Sequence, residues 1–129
     1  MPNKNDSTVL SLSGDHQALR QREAALRAAE FDVISVDNSV AARFEIEMGR
    51  CGIFLTCDKF SPISNRELTT LFRYNCPTGW IVFVTSNAAV DGKAPDFDVC
   101  VPESDDPQGI VKALQLRTLK QMESPSQLQ

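Results

Sequence analysis

The residues with chemical capacity gather around one stretch, 51–62, "CGIFLTCDKFSP", where an apolar run ends in Cys57 and Asp58 and a loop leads to Pro62. A thiol and a carboxylate side by side at a strand end offer two different nucleophiles. Further polar sets close other apolar runs: Ser13, Gly14, Asp15 and His16, then Thr85 and Ser86, then Val101 with Pro102. Cys57, His16 and either Asp15 or Asp58 are the residue types of a thiol nucleophile with its base and orienting acid. Against that, Cys57 lies in no recognised nucleophile motif, and a cysteine closing a strand also serves as small apolar filler. Asp15 and Asp58 are the carboxylates a metal would use, but their spacing specifies no geometry, so no metal site is expected. "SLSGDHQ" holds a single glycine, which gives no support to a GxGxxG dinucleotide turn.

These residues need elements to position them. "TVLSLS" at 8–13, "FDVISV" at 31–36, "CGIFLTC" at 51–57, "WIVFVT" at 80–85 and "FDVCVP" at 97–102 read as strands. The third and fourth are almost continuously apolar, as strands covered on both faces are. Helices are expected between them. The first spans 16–29 on Leu19, Leu26 and several alanines, capped by Asp15 or Ser13. The second follows Asn38, carries Val40, Phe44 and Met48 at i, i+4, i+8, and closes at Gly49. The third opens on a Ser64–Glu67 capping box, turns Leu68, Leu71 and Phe72 inward, and stops at Pro77 and Gly79. The last is capped by Asp105 or Asp106, starts at Pro107, and buries Ile110, Val111 and Leu114.

Alternation of this kind predicts an α/β fold: a doubly wound, five-stranded parallel sheet with helices on both faces. The functional edge of such a sheet lies at the carboxyl ends of its strands, where all the polar sets named above arrive. The segment 86–95, "SNAAVDGKAP", has little apolar periodicity, so the fourth crossover helix is expected to be shortened or absent. Residues 8–122 form the expected domain, with polar, frayed segments at 1–7 and 123–129.

The 129 residues carry a net charge of −4 and have the composition of an ordinary soluble domain, 42% hydrophobic and 23% charged. No basic stripe is present to displace counterions from phosphates, so no nucleic acid is expected as a partner. Arg20, Arg22 and Arg27 alternate with Glu23 and Glu30 on the first helix and read as a solvated face. The apolar runs are too short to span a bilayer, and no signal peptide opens the chain; membrane association is not expected and the cytoplasm is. The four cysteines, Cys51, Cys57, Cys76 and Cys100, form no CxxC pair and no disulfide framework. Trp80 and Tyr74 flank Pro77, with Trp80 expected to pack. On the last helix, Leu116 and Leu119 fall outside the buried stripe.

The order of these motifs resembles the receiver domain of two-component response regulators, the chemotaxis-regulator type of flavodoxin-like fold, over about residues 7–120. "TVLSLSGD" resembles the strand leading to the family's acidic pair, and "GIFLTCDKFSP" its phosphoacceptor strand and following proline. "IVFVTSNAA" resembles the strand ending in the switch hydroxyl, and "DFDVCVP" the strand with a Lys-Pro end. The resemblance implies phosphoryl transfer from a histidine kinase to an aspartate, with Mg²⁺ on the acidic pair and a lysine and hydroxyl gripping the phosphoryl oxygens.

Against that pattern, Ser13 and Gly14 stand at the acidic pair with Asp15 one residue on, and Val101 stands at the lysine. Thr85 is kept. Counting from the apolar run puts Cys57 at the acceptor; counting back from Pro62 puts Asp58 there. The first alignment is favoured. The expectation is a pseudo-receiver, a signalling module that works by protein–protein contact without Mg²⁺-dependent phosphorylation and needs no cofactor. The first alternative is a working receiver phosphorylated on Asp58 with Mg²⁺; the second is a thiol enzyme using Cys57 and His16. A histidine kinase or regulator is the implied partner, with a homodimer possible through Leu116 and Leu119. No output domain is recognised in the chain.

Overall fold

The computed structural model describes residues 7–86 and 97–127. Five parallel strands, β1 Thr8–Leu12, β2 Asp32–Val36, β3 Ile53–Cys57, β4 Trp80–Thr85 and β5 Val99–Pro102, form one sheet in the order β2-β1-β3-β4-β5. The helices are α1 His16–Ala28, α2 Ser39–Glu47, α3 Pro62–Asn75 and α4 Gln108–Gln127, with a 3-10 turn over Glu103–Asp105. No helix among the described residues is long and apolar enough to cross a membrane.

Because side chains alternate along a strand, the sheet sends its residues into two cores. Val9, Ile53, Leu55, Cys57, Val82, Val84 and Val101 meet Leu26 of α1 and Ile110 and Leu114 of α4. Leu10, Leu12, Phe54 and Ile81 meet Ala42 and Ile46 of α2 and Leu68 and Phe72 of α3. The double burial of β3 and β4 is what their unbroken apolar runs predict. The register sets Cys57 beside Val84, Val84 beside Val101 and Thr85 beside Pro102, so these strands end level with one another.

Helix ends follow local chemistry. Asp15, not Ser13, caps α1, its carboxylate accepting from the Gln17 and Ala18 N–H groups. At the other end Phe31 N–H donates to Leu26 C=O and Glu30 N–H to Arg27 C=O, both at 2.9 Å. This is a Schellman closure with Glu30 in the left-handed position at φ 71°.

The structure corrects several expectations. The apolar stripe of α2 faces outward: Val40, Phe44 and Met48 are 77%, 53% and 56% exposed, while Ala42 and Ile46 are buried. The smaller alanine lets the helix approach the sheet, and Phe44 lies under the Arg50 guanidinium at 5.5 Å. Helix α3 opens at Pro62 rather than at a Ser64–Glu67 box, because the Ser61 hydroxyl accepts from Ser64 N–H and Pro62 supplies the first turn. β5 begins two residues later than its sequence run. Phe97 instead stacks on Phe83 at 4.2 Å, and Asp98 accepts from Ile81 N–H at 2.8 Å.

Helix α4 begins at Gln108, and neither Asp105 nor Asp106 caps it; Pro107 C=O accepts from Ile110 and Val111. It continues to Gln127, past residue 122 where the sequence ends the domain. The segment 86–95, for which no full helix is expected, lies outside the described residues apart from Ser86.

Candidate functional site

At the carboxyl edge the neighbouring residues Cys57 and Asp58 face opposite ways. Cys57 continues the inward alternation of Ile53 and Leu55, is 6% exposed, and belongs to the core under α1 and α4. It also lines a cleft of about 260 Å³ with Ser13, Gly14 and Asp15 from the end of β1 and with Arg22, Lys59, Glu103 and Asp106. Asp58, one residue on, lines a separate pocket on the α3 side with Phe60, Asn65, Phe83 and Phe97. The structure therefore brings the three residues after β1 together with Cys57, and not with Asp58.

The Asp58 carboxylate is already engaged. Its Oδ2 accepts from Ser86 N–H at 2.8 Å, from the Ser86 hydroxyl at 2.9 Å and from the Thr85 hydroxyl at 3.2 Å. Partial burial disfavours the charge most strongly of any single influence. The Ser86 and Thr85 donors and the nearby Lys59 together outweigh it, and the carboxyl sits below its ordinary range. Thr85 and Asp58 thus form one small unit on the far side of the sheet edge from Cys57.

Lys59 is the nearest lysine to the cleft, and its Nζ pairs with Glu103 Oε2 at 2.6 Å. That bond, and the Glu103 charge behind it, holds the ammonium's pKa above its usual value. Val101 brings no charge. It is 4% exposed and packed in the core, and Gly109 lets the first turn of α4 lie against it, since a Cβ there would come within 2.9 Å of Val101 Cγ1.

Ser13 is buried and its Oγ accepts from Asp15 N–H at 3.1 Å. His16 does not join Cys57. Its Nε2 lies 2.8 Å from Asp37 Oδ2, both side chains are exposed, and His16 is not among the residues lining the cleft. The Asn38 amide and His16 together hold the Asp37 carboxyl below its ordinary range. The thiol, base and acid suggested by residue type are therefore not assembled as a unit.

The donor set does not fit magnesium. A hard cation needs several oxygen ligands. Here Ser13 and Gly14 offer no carboxylate, Asp15 is turned to the N–H groups of α1, and Asp58 is held by Thr85 and Ser86. Among the described residues no three His, Cys, Asp or Glu side chains are grouped to hold a metal.

Two structural contributors escape a reading of the sequence. Arg22, read there as part of a solvated face, is buried, and its Nε and Nη2 clasp the Asp106 carboxylate at 2.9–3.1 Å. The signal was its place between Leu19 and Leu26, on the inward stripe of α1. Asn65 is the second. It accepts from the Thr56 hydroxyl at 2.7 Å and donates to Cys57 C=O at 2.9 Å, pinning the end of β3 to α3. It stands at helical spacing from Leu68 and Phe72. On α4, Leu116 and Leu119 are each 54% exposed. Trp80 packs against the core with the Arg117 guanidinium 5.4 Å from its ring.

No protein-family model matches this chain, and no curated protein matches it by sequence. Solved structures do match in fold. A CheY-like response regulator receiver domain protein from Methanospirillum hungatei JF-1 is 16% identical with a TM-score of 0.76, over 92% of this chain and 98% of that one. The response regulator TrrA from Thermotoga maritima, solved in complex with Mg²⁺-BeF, gives 16% and 0.68, over 84% and 98%. An adenylate cyclase structure from Rhodopirellula baltica gives 13% and 0.76, over 95% and 96%. The fold of this chain is that of response regulator receiver domains.

Proposed function

We propose that this chain is a pseudo-receiver: a cytoplasmic signalling module that acts through protein–protein contacts without Mg²⁺-dependent aspartyl phosphorylation. One observation carries the reading. The side chain at the end of β3 that shares a cleft with Ser13, Gly14 and Asp15 is the Cys57 thiol, not a carboxylate. Phosphoryl transfer proceeds mainly by positioning and charge compensation. The buried Val101 supplies no cation, and the Lys59 ammonium is committed to Glu103. The partner class is a signalling protein such as a histidine kinase or another regulator, and the outward leucines of α4 are a surface for self-association.

A second reading has its own support. Asp58 lies within hydrogen-bond distance of the Thr85 hydroxyl, the residue type that reports a new phosphoryl group in a working receiver. Incubation with acetyl phosphate or phosphoramidate and Mg²⁺, followed by intact-mass measurement, separates the two. The pseudo-receiver stays unmodified under conditions that trap labile adducts. An added phosphoryl mass that disappears in Asp58→Asn establishes the second reading instead.

A further inference from the structure

Five of the seven large apolar side chains that the described residues expose sit on α2 and α3: Val40, Phe44, Met48, Ile63 and Tyr74. Apolar residues scattered singly mean little, but these belong to two helices packed side by side. Between the helices runs a groove of about 710 Å³, with Val40, Leu71 and Tyr74 on its walls and Arg43, Arg66 and Glu67 as its charged lining.

The charges on this face point to what covers it. Arg43 is paired with Glu47 at 3.2 Å along its own helix. Arg66 and Glu67 are consecutive, exposed and opposite in sign, and neither side chain has a hydrogen-bond or ion-pair partner among the described residues. These four charges cancel, on a chain whose net charge is −4. Two copies repel where their acidic surplus meets, and least where charge is balanced. A strongly acidic or basic partner finds no opposing field here. Adjacent groups of opposite sign are also what a two-fold axis requires, because the same patch must complement itself.

We propose that the α2–α3 groove is a homodimer face, in which a two-fold axis beside α3 sets each Arg66 against Glu67 of the second copy. The same contact removes Val40, Leu71 and Tyr74 from water, which supplies its stability, while the two crossed ion pairs set its register. This face lies across the sheet from α4, since α2 and α3 cover one core and α1 and α4 the other. It is thus separate from the Leu116 and Leu119 surface and leaves α4 accessible in the dimer. The proposal rests on the reading of the chain as a contact module.

Sedimentation equilibrium of the full chain carrying Leu116→Glu and Leu119→Glu tests this face alone, with the α4 surface removed. A concentration-dependent dimer is expected. Arg66→Glu and Glu67→Arg each set like charges together across the axis and are expected to weaken it at least about tenfold. Mixing the two variants is expected to restore dimerisation, because one copy then offers two carboxylates and the other two cations. A merely structural role for either residue gives no such rescue. A monomer at concentrations up to about 1 mM overturns the proposal and assigns the groove to a different protein. A dimer indifferent to both charge reversals also overturns it, as do two weakened variants that fail to rescue each other. Failure of the contact-module reading shows separately, as Asp58-dependent phosphoryl uptake from acetyl phosphate.

Discussion

Arg22 and Asp106, 84 residues apart in sequence, form a buried ion pair whose side chains are only 5% and 13% exposed. The guanidinium lies under α1 and the carboxylate immediately precedes Pro107 and α4, so the pair clamps the first helix to the last. Removing one partner strands the other charge away from water. Asp106→Ala is expected to destabilise the fold by about 3–5 kcal/mol in urea denaturation. The double variant Arg22→Met, Asp106→Leu leaves no charge stranded and is expected to recover most of that loss. A double variant no more stable than Asp106→Ala would show that the pair is not the cause.

The grip on Asp58 predicts a pH dependence of stability. Its carboxyl is depressed in the folded state by Ser86 and Thr85, against the opposing effect of burial. At acid pH the unfolded chain therefore binds more protons here than the folded one, so this contribution rises with pH. It is fully present above the ordinary aspartate range, near pH ~4, and is lost as pH falls through the depressed folded value. Denaturation measured from pH 6 to 3 in wild type and Asp58→Asn tests the sign: the difference between them should shrink toward low pH.

The outward leucines of α4 give a separable test of association. Leu116 and Leu119 are both more than half exposed. Leu116→Glu with Leu119→Glu is expected to change stability by no more than about 0.5 kcal/mol per site, while weakening any self-association seen by sedimentation. Unaltered sedimentation of a folded, self-associating variant would place the contact elsewhere.

Glu30 closes α1 in a left-handed conformation at φ 71° that glycine adopts without Cβ strain. Its carboxylate takes part in no described ion pair or hydrogen bond. Glu30→Gly is expected to stabilise the domain by about 0.5–1 kcal/mol, less than the full strain because glycine also loosens the unfolded chain. Thermal denaturation reads this as a rise in Tm; a fall would mean that the strain at Glu30 is negligible.

The sheet was legible because β3 and β4 are apolar at nearly every position, a pattern that suits a strand covered on both faces. Their carboxyl ends followed directly, and with them Cys57 and Thr85. The facing of Cys57 and Asp58 needed the start of β3: once Ile53 begins the strand, alternation turns Cys57 toward α1 and α4. Helix α2 misled because two stripes compete on nine residues, and the larger apolar one, Val40–Phe44–Met48, lies outside while Ala42 and Ile46 pack. Arg22 misled for a different reason. An arginine on an inward stripe is acceptable only if its partner is known, and Asp106 is too distant in the chain for spacing to reveal it.

The packing of Val101 also bears on how sequence change can proceed at this edge. A lysine arriving alone at 101 would bring an ammonium into a site now filled by apolar contacts, in the core that also holds Cys57. An aspartate arriving alone at 57 would place a carboxylate where the core closes around Leu55, Val84 and Val101. Each step by itself desolvates a charge without its counterpart, and only the two together relieve it. Single substitutions therefore meet a barrier in either direction, because gaining or losing one member of such a pair alone leaves a charge without its counterpart.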